Sequence, residues 1–378
     1  MDNSITRIKS SLYQNFINMP GWRTNRKIIV IESDDWGSIR MPSNEVYSKF
    51  VSRGLNLSNT DYNRIDTLEC NDDLMLLFDV LSSVRDSRNN HPVITGNIVV
   101  GNPDFKKIKD SDFNNYFFEP VTETLKRYPQ HDQVVSLWKQ GNANGLFHPQ
   151  FHGREHVNIV RWIDALKTKT QEMMFTFENE TTFSGDGDYS FMEVLDFNTL
   201  SDLEIMKESL SAGLDLFEKI FEYRSESFIP PCYTWSSEIE DTLYKKGVKY
   251  IQGLVVQSVP TGSFGNYTKK YHYMGSRNIY GQYFLTRNCF FEPSLSKSND
   301  PVGECLRRIN MAFRWKKPAV ISTHRINFMG SLDEKNRNTN LKLFKYLLDQ
   351  ILMNWTDVEF MSSDQLGDLI AQDKVVKE

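Results

Sequence analysis

The sequence predicts an α/β fold of the barrel type, built as a single domain from about seven or eight β/α units. Short β-branched runs alternate along the chain with helical patterns, which is typical of parallel α/β architecture. The first run, residues 27–32, is apolar on both faces, as a strand covered by helices requires. The chain has 25 Phe, 16 Tyr and 7 Trp among its 378 residues, enough for one large core.

The predicted elements follow from local patterns, taken in chain order. Apolar runs rich in β-branched residues predict strands at 27–32, 92–100, 145–152, 248–253, 282–291, 319–323 and 358–361. Apolar residues at helical spacing predict helices at 44–53, 72–85, 134–140, 157–168, 200–223 and 338–353. The helix 200–223 leads into residues 227–231.

Two polar stretches predict loops. Residues 101–133 are too long for an ordinary connection between a strand and a helix, so we expect a functional loop there, and 177–188 is the second loop. We find no internal repeat, low-complexity tract or flexible linker. We therefore expect an N-terminal extension over residues 1–26 and one barrel over residues 27–370.

Composition excludes some classes of partner and location. The 44 basic and 49 acidic residues give a net charge of −5, without the basic surplus that nucleic-acid binding usually shows. The four cysteines have no CxxC spacing and are expected to be reduced core thiols. The N-terminal residues lack a signal-peptide core, and no apolar run approaches the ~18 residues of a membrane span. We expect a cytoplasmic protein with no membrane span.

The first group of polar residues at a predicted strand end is Asp34 and Asp35, directly after strand 27–32. Active sites of parallel barrels lie where strands end and the following loops begin. Adjacent carboxylates there point to different sides of the chain, so one could bind a metal while the other faces a substrate water. Capping of the following turn is the alternative explanation, since Asp and Gly are common turn residues.

The second and third groups contain histidines. Three of the chain's seven histidines, His148, His152 and His156, stand at spacings of four after one predicted strand and before a helix. Residues four apart on a helix lie close enough for two imidazoles to share one ion. His324 ends the apolar run 319–323 and belongs to the same predicted barrel face. Together the groups predict a divalent metal site formed by one aspartate and two histidines.

The metal and its chemistry follow from these ligands. Zinc suits His and Asp ligands best, and nickel or cobalt fit the same set. A bound ion would lower the pKa of a water from about 15.7 toward 7 and polarise a carbonyl. A nearby carboxylate could then take the water's proton, and a histidine on the other side could protonate the leaving group.

The order of these motifs resembles the polysaccharide deacetylase (NodB-homology) superfamily, from about residue 27 to His324. The resemblance implies a distorted (β/α) barrel of about seven parallel strands. It also implies that Asp34 is the general base, Asp35 a metal ligand and His324 the general acid. The His-x-x-x-His motif of the family supplies the other two ligands. We prefer His152 and His156, because Gly153 stands where the family has a small residue, and keep His148 with His152 as the alternative register.

The chain departs from the family at two motifs. Ile229 stands where the family has an arginine that orients the base, although Pro230 and Pro231 follow as expected. We find no match to the family's fourth motif, an Asp-rich segment with Trp. Arg287 and Arg325, both at predicted strand ends, are the candidates to replace the arginine. A non-catalytic or altered-specificity carbohydrate-binding barrel is the alternative that this departure favours.

The expected activity is removal of an acetyl group, N- or O-linked, from a saccharide. Arg287 and Arg325 are also candidates for substrate contact, and three aromatic residues near the motifs could form a floor on which a sugar stacks, or could simply pack in the barrel: Trp36, Tyr233 and Trp235. Backbone N–H groups near Tyr233 could stabilise an oxyanion. Glycosidic hydrolysis ranks last, because glycosidases usually need a separated pair of carboxylates. The sequence leaves the sugar, the metal and the oligomeric state open.

Overall fold

The computed structural model describes residues 12–57, 61–186, 189–296 and 298–375. Residues 1–11 of the predicted extension and residues 187–188 of the second predicted loop lie outside the described residues. Residues 20–26 pack against the barrel: the Lys317 ammonium donates to the carbonyls of Pro20 and Trp22, and Arg26 pairs with Glu359. Among the described helices, none has the length and apolarity that crossing a bilayer requires.

The main sheet confirms the predicted distorted (β/α) barrel. Its nine strands among the described residues are β1 (Lys27–Trp36), β2 (Ile94–Val99), β3 (Phe147–Gly153), β4 (Ser227–Phe228), β5 (Tyr250–Gly253), β6 (Tyr283–Thr286), β7 (Cys289–Phe290), β8 (Ala319–His324) and β9 (Val358–Met361). Their order is β6-β5-β4-β3-β2-β1-β8-β7, and β9 pairs with the first half of β1. The ladders of this sheet are parallel.

The chain bends between β6 and β7, which are separated by two residues and form opposite ends of the strand order. The Arg287 N–H donates to Gly253 in β5, whereas the next N–H, of Asn288, donates to Val320 in β8. Residues 282–291, predicted as one strand, thus form two short strands that join both edges of the sheet. The sheet has nine strands rather than the seven predicted runs, because residues 282–291 form two strands and Ser227–Phe228 adds a short one.

The barrel interior is apolar at one end and polar at the other. Ile28 and Val30 of β1 share a buried cluster with Val320, Leu285 and two residues of the last helix, Leu366 and Ile370. Glu32 and Asp34 continue the same face of β1, because side chains of a strand alternate in direction. Ile29 and Ile31 point the other way, into the large core between sheet and helices. The polar end coincides with the carboxyl ends of the strands.

The helices cover the barrel. Among the described residues, the α-helices are 12–18, Asn44–Ser52, Tyr62–Ile65, Asn71–Ser82, Phe105–Asp110, Val121–Lys126, Val134–Ala143, Ile159–Lys167, Gln171–Glu178, Leu200–Phe221, Glu240–Lys245, Pro301–Arg314, Glu334–Asn354 and Ser363–Val375. Short 3₁₀ helices are Pro231–Tyr233, Ser237–Ile239 and Arg325–Phe328. The helices predicted from periodicity are present, with ends displaced by a few residues.

The prediction of one functional loop over residues 101–133 was wrong in its structural part, because the segment contains strands and helices. Two short antiparallel strands, Gly101–Pro103 and Phe118–Pro120, enclose the helix Phe105–Asp110, and the helix Val121–Lys126 follows. These pieces are too short to show a clear period in sequence. A second antiparallel pair, Val256–Pro260 with Tyr267–Tyr271, was also not predicted.

Candidate metal and catalytic site

The first polar group forms at a bulge in β1. Pairing with β2 shifts between Ser33 and Trp36, and Asp35 has a φ of 75°, in the left-handed region that non-glycine residues rarely adopt. Such a conformation typically costs about 1–3 kcal/mol and persists where the surroundings impose it. The bulge lets the consecutive side chains of Asp34 and Asp35 both line the cavity at the carboxyl ends of the strands.

The structure brings Asp35, His152 and His156 together. Asp35 Oδ1 lies 3.3 Å from His152 Nε2 and 3.2 Å from His156 Nε2. All three side chains are buried, and one potential ligand atom from each lies within 4.8 Å of the other two. Two imidazole nitrogens and one carboxylate oxygen directed at one point form a donor set that suits a divalent ion such as zinc.

Both imidazoles are held with Nε2 toward Asp35. His152 Nδ1 lies 2.9 Å from the carbonyl oxygen of Ile229, which fixes the ring and leaves Nε2 free. His156 Nδ1 is buried and has no hydrogen-bond partner within the described ranges. Burial lowers the pKa of His156 to about 4, despite the opposing charge of Asp35. The imidazole of His156 is therefore neutral at pH 7, the state in which it can bind a metal.

The spacing of four residues suggested that the histidines share one face of a helix, which was wrong. His152 and His156, the preferred pair, nevertheless lie side by side. His152 is in β3, the chain turns at Gly153, and the next helix begins only at Ile159. The loop folds His156 back so that the two ring centroids lie 5.0 Å apart. His148, the alternative ligand, lies earlier on β3, where it contacts Asp364 at 3.1 Å and Asn142 at 2.8 Å.

Asp34 is held by Arg287. The guanidinium donates from Nη1 to Asp34 Oδ2 at 2.6 Å and from Nη2 to Oδ1 at 2.7 Å, and Asn97 also donates to Oδ1 at 2.7 Å. Burial tends to raise the pKa of Asp34, but the charge and hydrogen bonds of Arg287 outweigh it and hold the pKa at about 2. The Arg287 Nε donates to Glu32 at 2.5 Å, so two buried acids share one guanidinium.

Arg325 lies elsewhere. Its guanidinium is fully buried and donates to Asp66 at 3.0 Å and to Glu69 at 2.9 Å. Of the two arginines that the sequence offered in place of Ile229, Arg287 therefore contacts Asp34 and Arg325 contacts a separate pair of acids. Neither guanidinium is exposed to solvent, since Arg287 is 1% exposed and Arg325 0%.

His324 lies next to Asp34 and is hydrogen-bonded to Glu292. His324 Nδ1 lies 2.6 Å from Glu292 Oε1, and Nε2 lies 3.8 Å from Asp34 Oδ2. Asn327 donates to the second oxygen of Glu292 at 2.7 Å. Burial opposes the charged imidazole, but the charge and hydrogen bond of Glu292, together with Asp34, raise the pKa of His324 to about 10.

A cavity of about 340 Å³ opens over these groups. Its walls combine aromatic and thioether side chains with hydroxyl groups, including Tyr62, Phe183, Tyr189, Met192, Thr181 and Ser190. Tyr233 also lines this cavity, whereas Trp36 and Trp235 are 0% and 1% exposed and pack in the core. Barrel packing thus accounts for the two tryptophans that the sequence offered for sugar stacking.

Three residues near the site were not selected from the sequence. Glu292 lies two residues after the end of β7 and directly after the predicted strand 282–291, so the rule that drew attention to strand ends could have found it. Asn97 lies within β2, where the sequence suggested only a buried strand. Arg40 lies on the cavity wall in a segment between β1 and the first helix, and no sequence pattern distinguishes it.

We expect Glu292→Gln to lower the pKa of His324, because the charge that favours the imidazolium is removed. A pKa raised from about 6.5 in the unfolded chain stabilises the protein fully below pH 6.5, and this contribution is lost as the pH rises through the folded value. The difference in free energy of unfolding between wild type and variant should therefore decrease as the pH rises toward 10. NMR titration of the imidazole and urea unfolding at several pH values measure both effects. An unchanged imidazole pKa in the variant would contradict the assignment.

Comparison with known proteins gives fold likenesses at low identity. No protein-family model matches the chain, and no curated protein matches it. A putative polysaccharide deacetylase from Mycobacterium smegmatis has a TM-score of 0.45 at 11% identity, with 94% of each chain covered. A CE4 family pseudoenzyme from Bacillus anthracis has a TM-score of 0.36 at 9% identity, covering 92% of this chain and 69% of that one.

A further likeness is to 4-alpha-glucanotransferase from Thermococcus litoralis, with a TM-score of 0.45 at 9% identity. It covers 90% of this chain but 40% of that protein, so this chain spans about two fifths of its length. With TM-scores below 0.5, these likenesses transfer no activity, and the function has to be argued from the site itself. Polysaccharide deacetylases are thus among the solved structures that this chain resembles.

Proposed function

We propose that the protein is a metal-dependent hydrolase that removes an acetyl group, N- or O-linked, from a saccharide in the cytoplasm. One observation carries the proposal: a candidate metal group, Asp35, His152 and His156, lies beside an acid–base pair, Asp34 and His324, on one cavity. Zinc is the proposed metal, and nickel or cobalt would suit the same ligands.

The residues present fit a divalent ion. Asp35, His152 and His156 would hold it, because their ligand atoms converge and His156 is neutral at pH 7. A bound ion would supply Lewis-acid chemistry, lowering the pKa of a water toward about 7 and polarising the acyl carbonyl. The Ile229 carbonyl would keep His152 in the required tautomer through its 2.9 Å contact with Nδ1.

Asp34 is proposed as the general base. It is ionised at neutral pH because Arg287 holds its pKa at about 2. Its Oδ2 accepts one hydrogen bond from Arg287 and keeps a second lone pair that can take a proton from water. Arg287 acts as a positioning residue, since its two parallel hydrogen bonds fix the plane of the carboxylate.

His324 is proposed as the general acid. With a pKa of about 10 it carries a proton at Nε2 at neutral pH, while Nδ1 is directed at Glu292. The ring reaches the cavity, so Nε2 can donate to the leaving nitrogen or oxygen. Glu292 is a positioning residue that keeps the imidazole charged and fixes its orientation.

The alternative of a non-catalytic barrel loses its main support. Ile229 suggested that the base lacks its arginine, yet Arg287, in the bend between β6 and β7, forms a two-point contact with Asp34. The remaining polar groups that a hydrolase needs also line the cavity. We therefore favour the enzyme over a binding module.

Asp34→Asn tests the proposed base. We expect the variant to keep its metal, since Asp35, His152 and His156 are unchanged, and to lose about 10²–10⁴-fold in turnover, as removal of a general base usually does. Acetate release from a panel of N- and O-acetylated sugars, paired with elemental analysis, measures both. Full acetate release by metal-free wild-type protein would rule out the proposed function.

A further inference from the structure

Arg40 is the arginine that lines the cavity beside the candidate metal group. Its side chain is 14% exposed, and its Nη2 lies 3.4 Å from Asp35 Oδ2. The guanidinium carbon lies 5.7 Å from the centre of the Tyr62 ring, and Nη1 contacts the sulfur of Met192. Both imidazoles face the other oxygen of Asp35, Oδ1, so Arg40 approaches the carboxylate from the opposite side.

The hydrogen-bonding capacity of Arg40 is poorly used. A guanidinium has five N–H donors, and charge-assisted bonds to carboxylates usually measure about 2.7–2.9 Å. The contact with Asp35 is longer, at 3.4 Å, and Met192 offers only a weak acceptor. Nε lies 3.3 Å from Asp66 Oδ2 but makes no hydrogen bond within the described part of the chain. Asp66 instead accepts from Arg325, at 3.0 Å.

The other charges on the cavity wall have strong partners. Arg287 binds Asp34 at two points, and Glu292 contacts His324 at 2.6 Å. Asp35 is shared between two imidazoles, and in the proposed function it also binds a divalent ion. Arg40 therefore contributes positive charge and spare donors to the wall. The two Nη groups have only the 3.4 Å contact with Asp35 and the contact with the Met192 sulfur, which favours a ligand that supplies closer oxygen acceptors.

We propose that Arg40 selects substrates carrying an anionic oxygen, a carboxylate or a phosphate, near the acylated position of the sugar. The geometry suits such a group because a guanidinium presents paired donors that match two oxygens of a carboxylate or phosphate. The hydroxyls of Thr181, Thr182 and Ser190 line the same cavity and can bind sugar hydroxyls. This inference rests on the proposed function for the acylated sugar and adds the charge of the substrate.

Binding of matched sugars to the full-length, zinc-loaded protein tests the proposal. The probes are N-acetylglucosamine and three anionic derivatives of it: N-acetylmuramic acid, N-acetylglucosamine 1-phosphate and N-acetylglucosamine 6-phosphate. Calorimetry is done on Asp34→Asn, in which turnover is suppressed, with and without Arg40→Gln. For each protein, the affinity for each anionic sugar is divided by the affinity for N-acetylglucosamine. A loss of binding that affects all four sugars equally therefore cancels.

We expect at least one anionic probe to bind about tenfold or more tightly than N-acetylglucosamine, which corresponds to one charge-assisted contact. Arg40→Gln should bring that ratio to within about threefold of one, and Arg40→Lys should keep part of it because the charge remains. The preferred anion distinguishes a carboxylate from a phosphate. The ratio should also fall with salt, since exposed parts of the interaction are screened.

Two results would overturn the proposal: a ratio near one for all three anions, or a preference that persists in Arg40→Gln, which would assign the anion to the metal. Acetate release from the same probes by the protein with Asp34 intact is measured separately. A charge preference without acetate release would support anion recognition by Arg40 but reject these four sugars as substrates of the proposed hydrolase, so the two failures are distinguishable.

Discussion

His152→Ala is expected to lose bound metal and turnover together. His152 supplies one of the three candidate ligand atoms, and the remaining pair, Asp35 and His156, is too few to hold a divalent ion in a tetrahedral site. Without the ion, the transition state would lose several kcal/mol of stabilisation, which corresponds to a decrease in turnover of about a thousandfold or more. Elemental analysis after dialysis, together with acetate release, measures the two effects.

His148→Ala is the matched control. His148 lies on the same strand four residues earlier, and its contacts are with Asp364 and Asn142 rather than with Asp35. We expect this variant to keep its metal and to change turnover far less than His152→Ala. Because His152 belongs to both registers, metal lost in His148→Ala but retained in His156→Ala would assign the ligands to the other register, and metal retained in His152→Ala would contradict both.

Arg287→Met is expected to cause the largest loss of stability. The guanidinium pairs with Asp34 and Glu32, and all three side chains are buried. Removing one partner of a buried ion pair usually costs about 3–5 kcal/mol, because the remaining charge is left without compensation. Urea unfolding of the metal-free protein measures the free energy of unfolding without a contribution from bound ion.

Two further variants make this result specific. Arg64→Met removes an exposed arginine that pairs with Asp61, and such surface pairs contribute at most about 1 kcal/mol. Glu32→Gln combined with Arg287→Met removes one of the uncompensated acids and should recover part of the stability. A change below about 1 kcal/mol in Arg287→Met would mean that the pair does not stabilise the barrel.

The residues at the strand ends could be predicted because the rule that locates them is local. An apolar run followed by polar residues marks a strand end, and parallel strands place those ends at one mouth of a barrel. This reasoning selected Asp34, Asp35, His152 and His324, which the structure places on one cavity. The same rule applies to Glu292, which directly follows the run 282–291.

From the sequence, the arginine that contacts Asp34 could be narrowed only to two candidates. Arg287 and Arg325 both follow apolar runs, and nothing local distinguishes them. The bend between β6 and β7 directs Arg287 to Asp34, whereas the 3₁₀ helix Arg325–Phe328 places Arg325 against Asp66 and Glu69. Such choices depend on closure of the barrel, which joins segments that are distant in sequence.

The short elements and the tryptophans show a different limit. Helices and strands of three to six residues within 101–126 carry too few positions to reveal a period. Trp36 and Trp235 stand beside the motifs in sequence yet point into the core, because neighbouring residues of a strand or turn face different sides. Proximity in sequence therefore selected polar residues that line one cavity but not the aromatic residues that line it.

Anomalous diffraction at the zinc edge, from crystals grown with zinc, shows whether Asp35, His152 and His156 bind one ion. We expect one strong peak within about 2.0–2.2 Å of Asp35 Oδ1, His152 Nε2 and His156 Nε2. A peak at other residues, or density showing Asp35 turned away from two imidazoles with no ion between them, would contradict it.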